Sequence, residues 1–219
     1  MKENQNIKIK GTKVILVPYQ VCHVEKYHKW MSDPIIRQLT ASEPLTIEQE
    51  YEMQKSWAED PDKCTFIVLS QELQQKPGSS VTDSMIGDVN LFLRENRNDN
   101  VYSITQNKNN TDAEDDRFKS AELDIMVAEK REQGKGLGKQ AAVLMMLYGV
   151  KHLHINKFQV KISRTNTVSR NMFEKLNFHL YSESDVFDEV TMELVINTDI
   201  IKQLEEIVGI YDTIALKFD

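Results

Sequence analysis

Residues 131–140 read REQGKGLGKQ, with glycine at 134, 136 and 138 and a long apolar run directly after them. Each glycine inside a helix costs about 1 kcal/mol relative to alanine, so three at alternate positions mark a place that needs bare backbone. Upstream, AELDIMVA (residues 121–128) has the character of a strand. Downstream, LGKQAAVLMMLYGVKHL (residues 137–153) sets Leu137, Ala141, Leu144, Met145 and Tyr148 along one helical face. Strand, turn and bare helix N-terminus together make an anion site. Unpaired N–H groups point outward, the helix dipole favours negative charge, and absent side chains let a phosphate approach. A glycine-rich turn with nothing bound is the plain alternative.

Two phosphate-binding patterns fail here. A Walker A loop needs a Ser or Thr after Gly-Lys, and Gly138-Lys139 is followed by Gln140. The run from Gly136 to Ala141 satisfies G-x-G-x-x-A, but a dinucleotide site also needs an acidic residue about 20 positions on. From Gln133 through Phe173 there is no Asp or Glu, while Lys135, Lys139, Lys151, Lys157, Lys161, Arg164 and Arg170 fall in the same span. That stretch suits a polyanion better than a ribose diol.

Strands and helices alternate around this loop. TKVILVPY (12–19), KCTFIVLS (63–70), MIGDVNLFLR (85–94), KFQVKIS (157–163) and VTMELVI (190–196) read as strands. VCHVEKYHKWMSD reads as a helix stopped by Pro34, and LTIEQEYEMQKSW as one capped by Thr46 with Gln49 completing a capping box. A further helix begins near Asn166 or Thr167. The expected class is α/β (α+β): one domain with a central mixed, twisted sheet flanked by helices. Residues 1–9 read as an N-terminal extension and 10–197 as the domain. Within it, the polar, asparagine-rich residues 95–119 read as a flexible insertion, and 198–219 read as a tail with some helical character.

The net charge of −7 argues against general binding to nucleic acid or anionic membranes, and no apolar run reaches the length of a span. Cys22 and Cys64 have no Cys/His ligand spacing, so no metal site is expected and reduced thiols in a cytoplasmic protein are the default.

Gln133-Gly134-Lys135-Gly136-Leu137-Gly138 matches Q/R-x-x-G-x-G/A, and NTVSRNMFEKLNF about 30 residues on matches a second motif at Asn166, Ser169, Phe173, Lys175 and Phe178. With this order and spacing the chain resembles the GNAT superfamily of N-acetyltransferases. A closer resemblance covers about residues 10–195. TASEPLTIEQEYEMQKSW, DKCTFIVL, IGDVNLFL, GKGLG and NMFEKLNF are similar to the tubulin-directed N-acetyltransferase 9 family. The resemblance implies acetyl transfer from acetyl-CoA to α-amino groups of α/β-tubulin, with a microtubule-stabilising role. It also implies that Gln133, Gly134, Lys135, Gly136, Leu137, Gly138 and Lys139 hold the pyrophosphate, that Met126, Val127 and Ala128 pair with the pantetheine arm, and that Asn166 touches the cofactor. A plain N-cap is the other reading of Asn166.

Alternation on strand 121–128 puts Glu122, Asp124, Met126 and Ala128 on one face, so Glu122 and Asp124 are equal candidates for the base that deprotonates the amine. A salt-bridged strand face is their structural alternative. The superfamily's proton-donating tyrosine falls at Phe173, which leaves Tyr148, His152 and His154 as stand-ins. That substitution keeps open a catalytically weak CoA-binding docking protein. Acetylation of a lysine or a small-molecule amine is the third possibility.

Overall fold

The computed structural model describes residues 4–95 and 119–216. Its strands are β1 (Ile7–Lys10), β2 (Val14–Pro18), β3 (Lys63–Ser70), β4 (Met85–Glu95), β5 (Lys119–Val127), β6 (Lys157–Ser163), β7 (His179–Ser184), β8 (Glu189–Val195) and β9 (Asp212–Ala215). The helices are α1 (Val24–Met31), α2 (Pro34–Leu39), α3 (Ile47–Glu59), α4 (Gln71–Gln74), α5 (Val81–Ser84), α6 (Leu137–Leu153), α7 (Thr167–Glu174) and α8 (Thr198–Val208). The nine strands form one sheet in the order β7-β8-β6-β5-β4-β3-β2-β1-β9. Only β5 and β6 run parallel, and α6 is the crossover between them.

Local chemistry explains most of the helix ends. Thr46 N–H donates to Gln49 Oε1 at 2.8 Å and Gln49 N–H to Thr46 Oγ1 at 3.3 Å, the reciprocal capping box expected for α3. The preceding helix ends at Met31, before Pro34 as expected, and Pro34 itself opens α2. Asp33 caps it by accepting from Ile35 N–H at 2.8 Å, and the first helical position needs no N–H. The turn-rich stretch between β3 and β4 coils into the short α4 and α5.

The main core lies between the sheet and α6. That helix was expected to bury one face, yet Ala141 to Gly149 are buried on every side. The outer side is covered by α8, whose Leu204 and Val208 join the same apolar cluster. A helix apolar all round needs such a second cover. Ile7–Lys10, which begins within the residues read as an extension, pairs with β2, and β9, within the residues read as a tail, pairs with β1. Both strands are four residues long, and the Ile-Lys alternation of the first spans only two repeats. Except for its ends, the 95–119 insertion lies outside the described residues; Glu95 and Lys119 are cross-strand partners closing β4 and β5.

One side chain ties α6 to the sheet. Gln140 Oε1 accepts from Lys13 N–H at 2.7 Å and Val14 N–H at 3.0 Å, and its Nε2 donates to Thr12 Oγ1 at 2.7 Å. Gln140→Leu orphans two backbone donors, so urea unfolding is expected to show a loss of about 2–4 kcal/mol.

Candidate active site

The sheet splits beside the glycine loop. β5 and β6 pair only from Ser120 to Glu122, opposite Lys157 to Gln159, and diverge beyond that row. Past the split, β5 keeps only its β4 partner. Ala128 N–H donates to Ile86 O on β4 at 2.8 Å, so alternation turns the amides of Val127, Ile125 and Leu123 toward the open edge. Of the three residues expected there, Val127 therefore presents its backbone, while Met126 and Ala128 turn theirs to β4.

The loop stands at the mouth of this split. Gly134 (φ 76°) and Gly136 (φ 78°) occupy the left-handed region, where a Cβ is strained, and Gly136 is the N-cap of α6. Gly138 has another reason: an added Cβ would lie 3.2 Å from Val127 Cγ2, so glycine lets α6 sit this close to β5 without displacing that methyl. Gln133 Nε2 donates to Val127 O at 2.7 Å, clasping the loop to the strand. Lys135 is held by Glu132 at 2.8 Å. Lys13, which no motif flags, reaches across from the start of β2 and donates to Lys135 O at 3.2 Å. Bare N–H groups at a helix mouth, flanking lysines and an open strand edge fit acetyl-CoA.

On the other side of the sheet a cleft of about 580 Å³ runs from the loop after α2 to the β7–β8 turn. Its floor carries Asp88, Asn90 and Phe92 of β4, Glu122 and Asp124 of β5, and Lys63 of β3. Strand register makes this floor: Lys63, Phe92 and Glu122 form one cross-strand row, and Thr65, Asn90 and Asp124 the next. The two candidate bases differ. Glu122 is ion-paired with Arg94 and, at 3.1 Å, with Lys161. Burial, reinforced by the charges of Glu122 and Asp88, pushes the Asp124 carboxyl up to about 6.

Sequence reasoning missed Asp88, Lys63 and Tyr27. Asp88 is 3% exposed and accepts from Asn90 Nδ2 at 2.8 Å and from the Tyr27 hydroxyl at 3.4 Å. Burial raises it to about 6 against the partial relief of those donors and Lys63. Burial also pulls Lys63 down to about 8. No local pattern signals these groups, since Lys63 and Asp88 lie in largely apolar strands and Tyr27 on the buried face of α1. The Asp88 shift links stability to pH. Folded Asp88 holds its proton to a higher pH than the unfolded carboxyl, so its contribution is favourable below pH 4 and is lost as pH rises through 6. Asp88→Asn should therefore be more stable than the parent at pH 7.5, by at most about 3 kcal/mol in urea unfolding, and equally stable at pH 4.

Asn166 caps α7, its side chain accepting from Ser169 N–H at 3.1 Å, and it also lines the cleft. Phe173 packs edge-on against Phe178, with ring centres 5.0 Å apart. Tyr148 lies in the core against Phe66, and neither it nor His152 or His154 lines the cleft. Thr40, Ala41 and Ser42, in the loop after α2, form one wall.

A sheet split after a glycine loop, with a polar cleft beneath, defines an acyl-CoA-dependent N-acetyltransferase, and the Acetyltransferase (GNAT) domain model matches residues 13–179. The chain is 48% identical over 195 residues to the N-acetyltransferase 9-like protein of Caenorhabditis briggsae, covering 89% of this chain and 88% of that one. It is 46% identical over 199 residues to the Alpha/beta-tubulin-N-acetyltransferase 9 of Homo sapiens, covering 90% and 87%. The spermidine N-acetyltransferase of Vibrio cholerae, solved with CoA and spermine, shares the fold at a TM-score of 0.62 and 16% identity, covering 83% of this chain and 95% of that one. The chain belongs to the N-acetyltransferase 9 family of GNAT acetyltransferases: it is an acyltransferase, and acetyl-CoA is its donor. Among the described residues no helix is long and apolar enough to cross a membrane.

Proposed function

We propose that the acceptor is the N-terminal α-amino group of α/β-tubulin, modified in the cytoplasm, and that the modification stabilises microtubules. The observation that carries this reading is the name of the human relative, a protein 46% identical over nearly the whole chain. The cleft chemistry supports it. An α-ammonium titrates near 8 and a lysine near 10.4, so neutralising a lysine at pH 7 costs about 3 kcal/mol more. A carboxyl raised to about 6 suits the easier deprotonation.

The donor brings an acetyl group activated as a thioester. In this reading the N–H groups of residues 134–139 and the mouth of α6 hold its pyrophosphate, with Lys135, Lys139 and Lys13 supplying charge. The outward amides of Val127 and Ile125 bind the pantetheine amides as an added strand would. Gln133 keeps the loop against β5, Met126 walls the cleft, Ala128 packs in the apolar cluster with Tyr27 and Trp30, and Asn166 borders the arm while capping α7. Asp124 takes the proton of the acceptor ammonium, directly or through one water. Glu122 anchors Arg94 and Lys161 beside it. Phe173 has no proton to give, so water protonates the leaving sulfur.

Incubation with acetyl-CoA and synthetic α- and β-tubulin N-terminal peptides tests the proposal, with fragment masses locating the acetyl group. The α-nitrogen is the expected site. Acetyl found only on lysine side chains, or transfer to spermidine in preference to either peptide, would overturn the acceptor assignment.

A further inference from the structure

The cleft contains an amine of its own. Lys63 is only 5% exposed, and its Nζ lies 3.0 Å from the Trp57 ring centre and 4.2 Å from that of Phe92. Burying a lysine cation is costly, and aromatic faces repay part of that cost. The residue lines the same cleft as Asp88 and Asp124, whose charges both act on it. It heads the cross-strand row that ends at Glu122, where the β5 edge begins to open. Two strand spacings, about 10 Å, separate the ends of that row. A flexible four-carbon stem directed along the row spans much of that distance.

We propose that Lys63 is a self-acetylation site, modified by the enzyme's own bound acetyl-CoA. This rests on the donor placement proposed above, not on the identity of the acceptor protein. The Lys63 nitrogen bonds to the acetyl carbon as the carbon–sulfur bond breaks. Of the two protons the ammonium sheds, one goes to the sulfur, which leaves as free thiol, and the other passes to Asp124 and solvent. Burial assists by bringing the amine down to about 8, near an α-amine. The product is neutral, so Asp88 and Asp124 lose the cation facing them and the modified enzyme needs a higher pH to ionise its base.

The test is incubation of the purified chain with isotopically labelled acetyl-CoA and a tubulin N-terminal peptide, followed by peptide mapping. Label should accumulate at Lys63 at least about tenfold faster than at other lysines, because the groups are held together. Its rate per molecule should not change on dilution, and this fast labelling should be absent from Lys63→Arg and from urea-unfolded chain, which keep only the slow label of the other lysines. In the donor-free protein, the Lys63 amine signal should titrate by NMR near pH 8. Label at Lys63 no faster than elsewhere, a rate that falls on dilution, or titration with the bulk lysines would each overturn the inference. The peptide product in the same tube judges the acceptor proposal separately.

Discussion

Gly136→Asp should yield a folded protein that gives no heat when acetyl-CoA is titrated into it. The backbone at 136 is left-handed, a conformation Asp adopts more readily than most residues. An added Cβ would meet only Lys13 Nζ, at 3.5 Å, so the new carboxylate has room and pairs with the lysine meant for phosphate. It also places negative charge at the mouth of α6, where the helix dipole would otherwise favour the pyrophosphate. Losing that charge pairing and adding repulsion should weaken binding at least about 100-fold, or about 3 kcal/mol. Calorimetry supplies the number, and thermal melts establish that the variant is folded. Undiminished stabilisation by acetyl-CoA would remove the loop from the binding site. Gly138→Ala behaves differently, since its Cβ presses on Val127 Cγ2 and mainly lowers stability.

Asp124→Asn should lower kcat about 100-fold or more while leaving donor affinity nearly unchanged, because an amide cannot take the acceptor's proton. The sign of the pH effect is fixed by the direction of the shift. With its carboxyl raised to about 6, Asp124 is protonated and idle below that pH, so the parent's rate should climb through pH 6 and the climb should vanish in the variant. Glu122→Gln should cost less, about tenfold, since it loosens the grip on Arg94 and Lys161 without removing the proton acceptor. Equal losses in both variants, with the same pH profile, would make the two carboxylates one ion-pair network with no distinct base.

Several features followed directly from neighbouring residues. The Thr46 capping box, the Asn166 cap and the glycine turn are set by interactions within a few positions of chain, which a motif displays in full. The faces of β5 were equally legible, because alternation has a period of two. Other features had no local trace. Ile7–Lys10 gains its partner from β2 and β9, and Thr198–Val208 is amphipathic in a way that says nothing of what it covers. Lys13 comes to the glycine loop from 122 positions away.

The linear chain alone determined the family-defining loop, the helix that follows it and the carboxylate-bearing strand before it. The helix makes its hydrogen bonds inside the segment, the loop shows in its glycines and the strand in its period-two alternation, so composition and spacing suffice to recognise them. Tertiary structure alone decided how the two carboxylates differ and which amine shares their cleft. Glu122 and Asp124 are equivalent on paper. They part only when Arg94 and Lys161 close on one and burial raises the proton affinity of the other. Lys63 and Asp88 become chemical groups only when three strands come into register and exclude water, because proton affinity depends on desolvation and on charges distant in sequence.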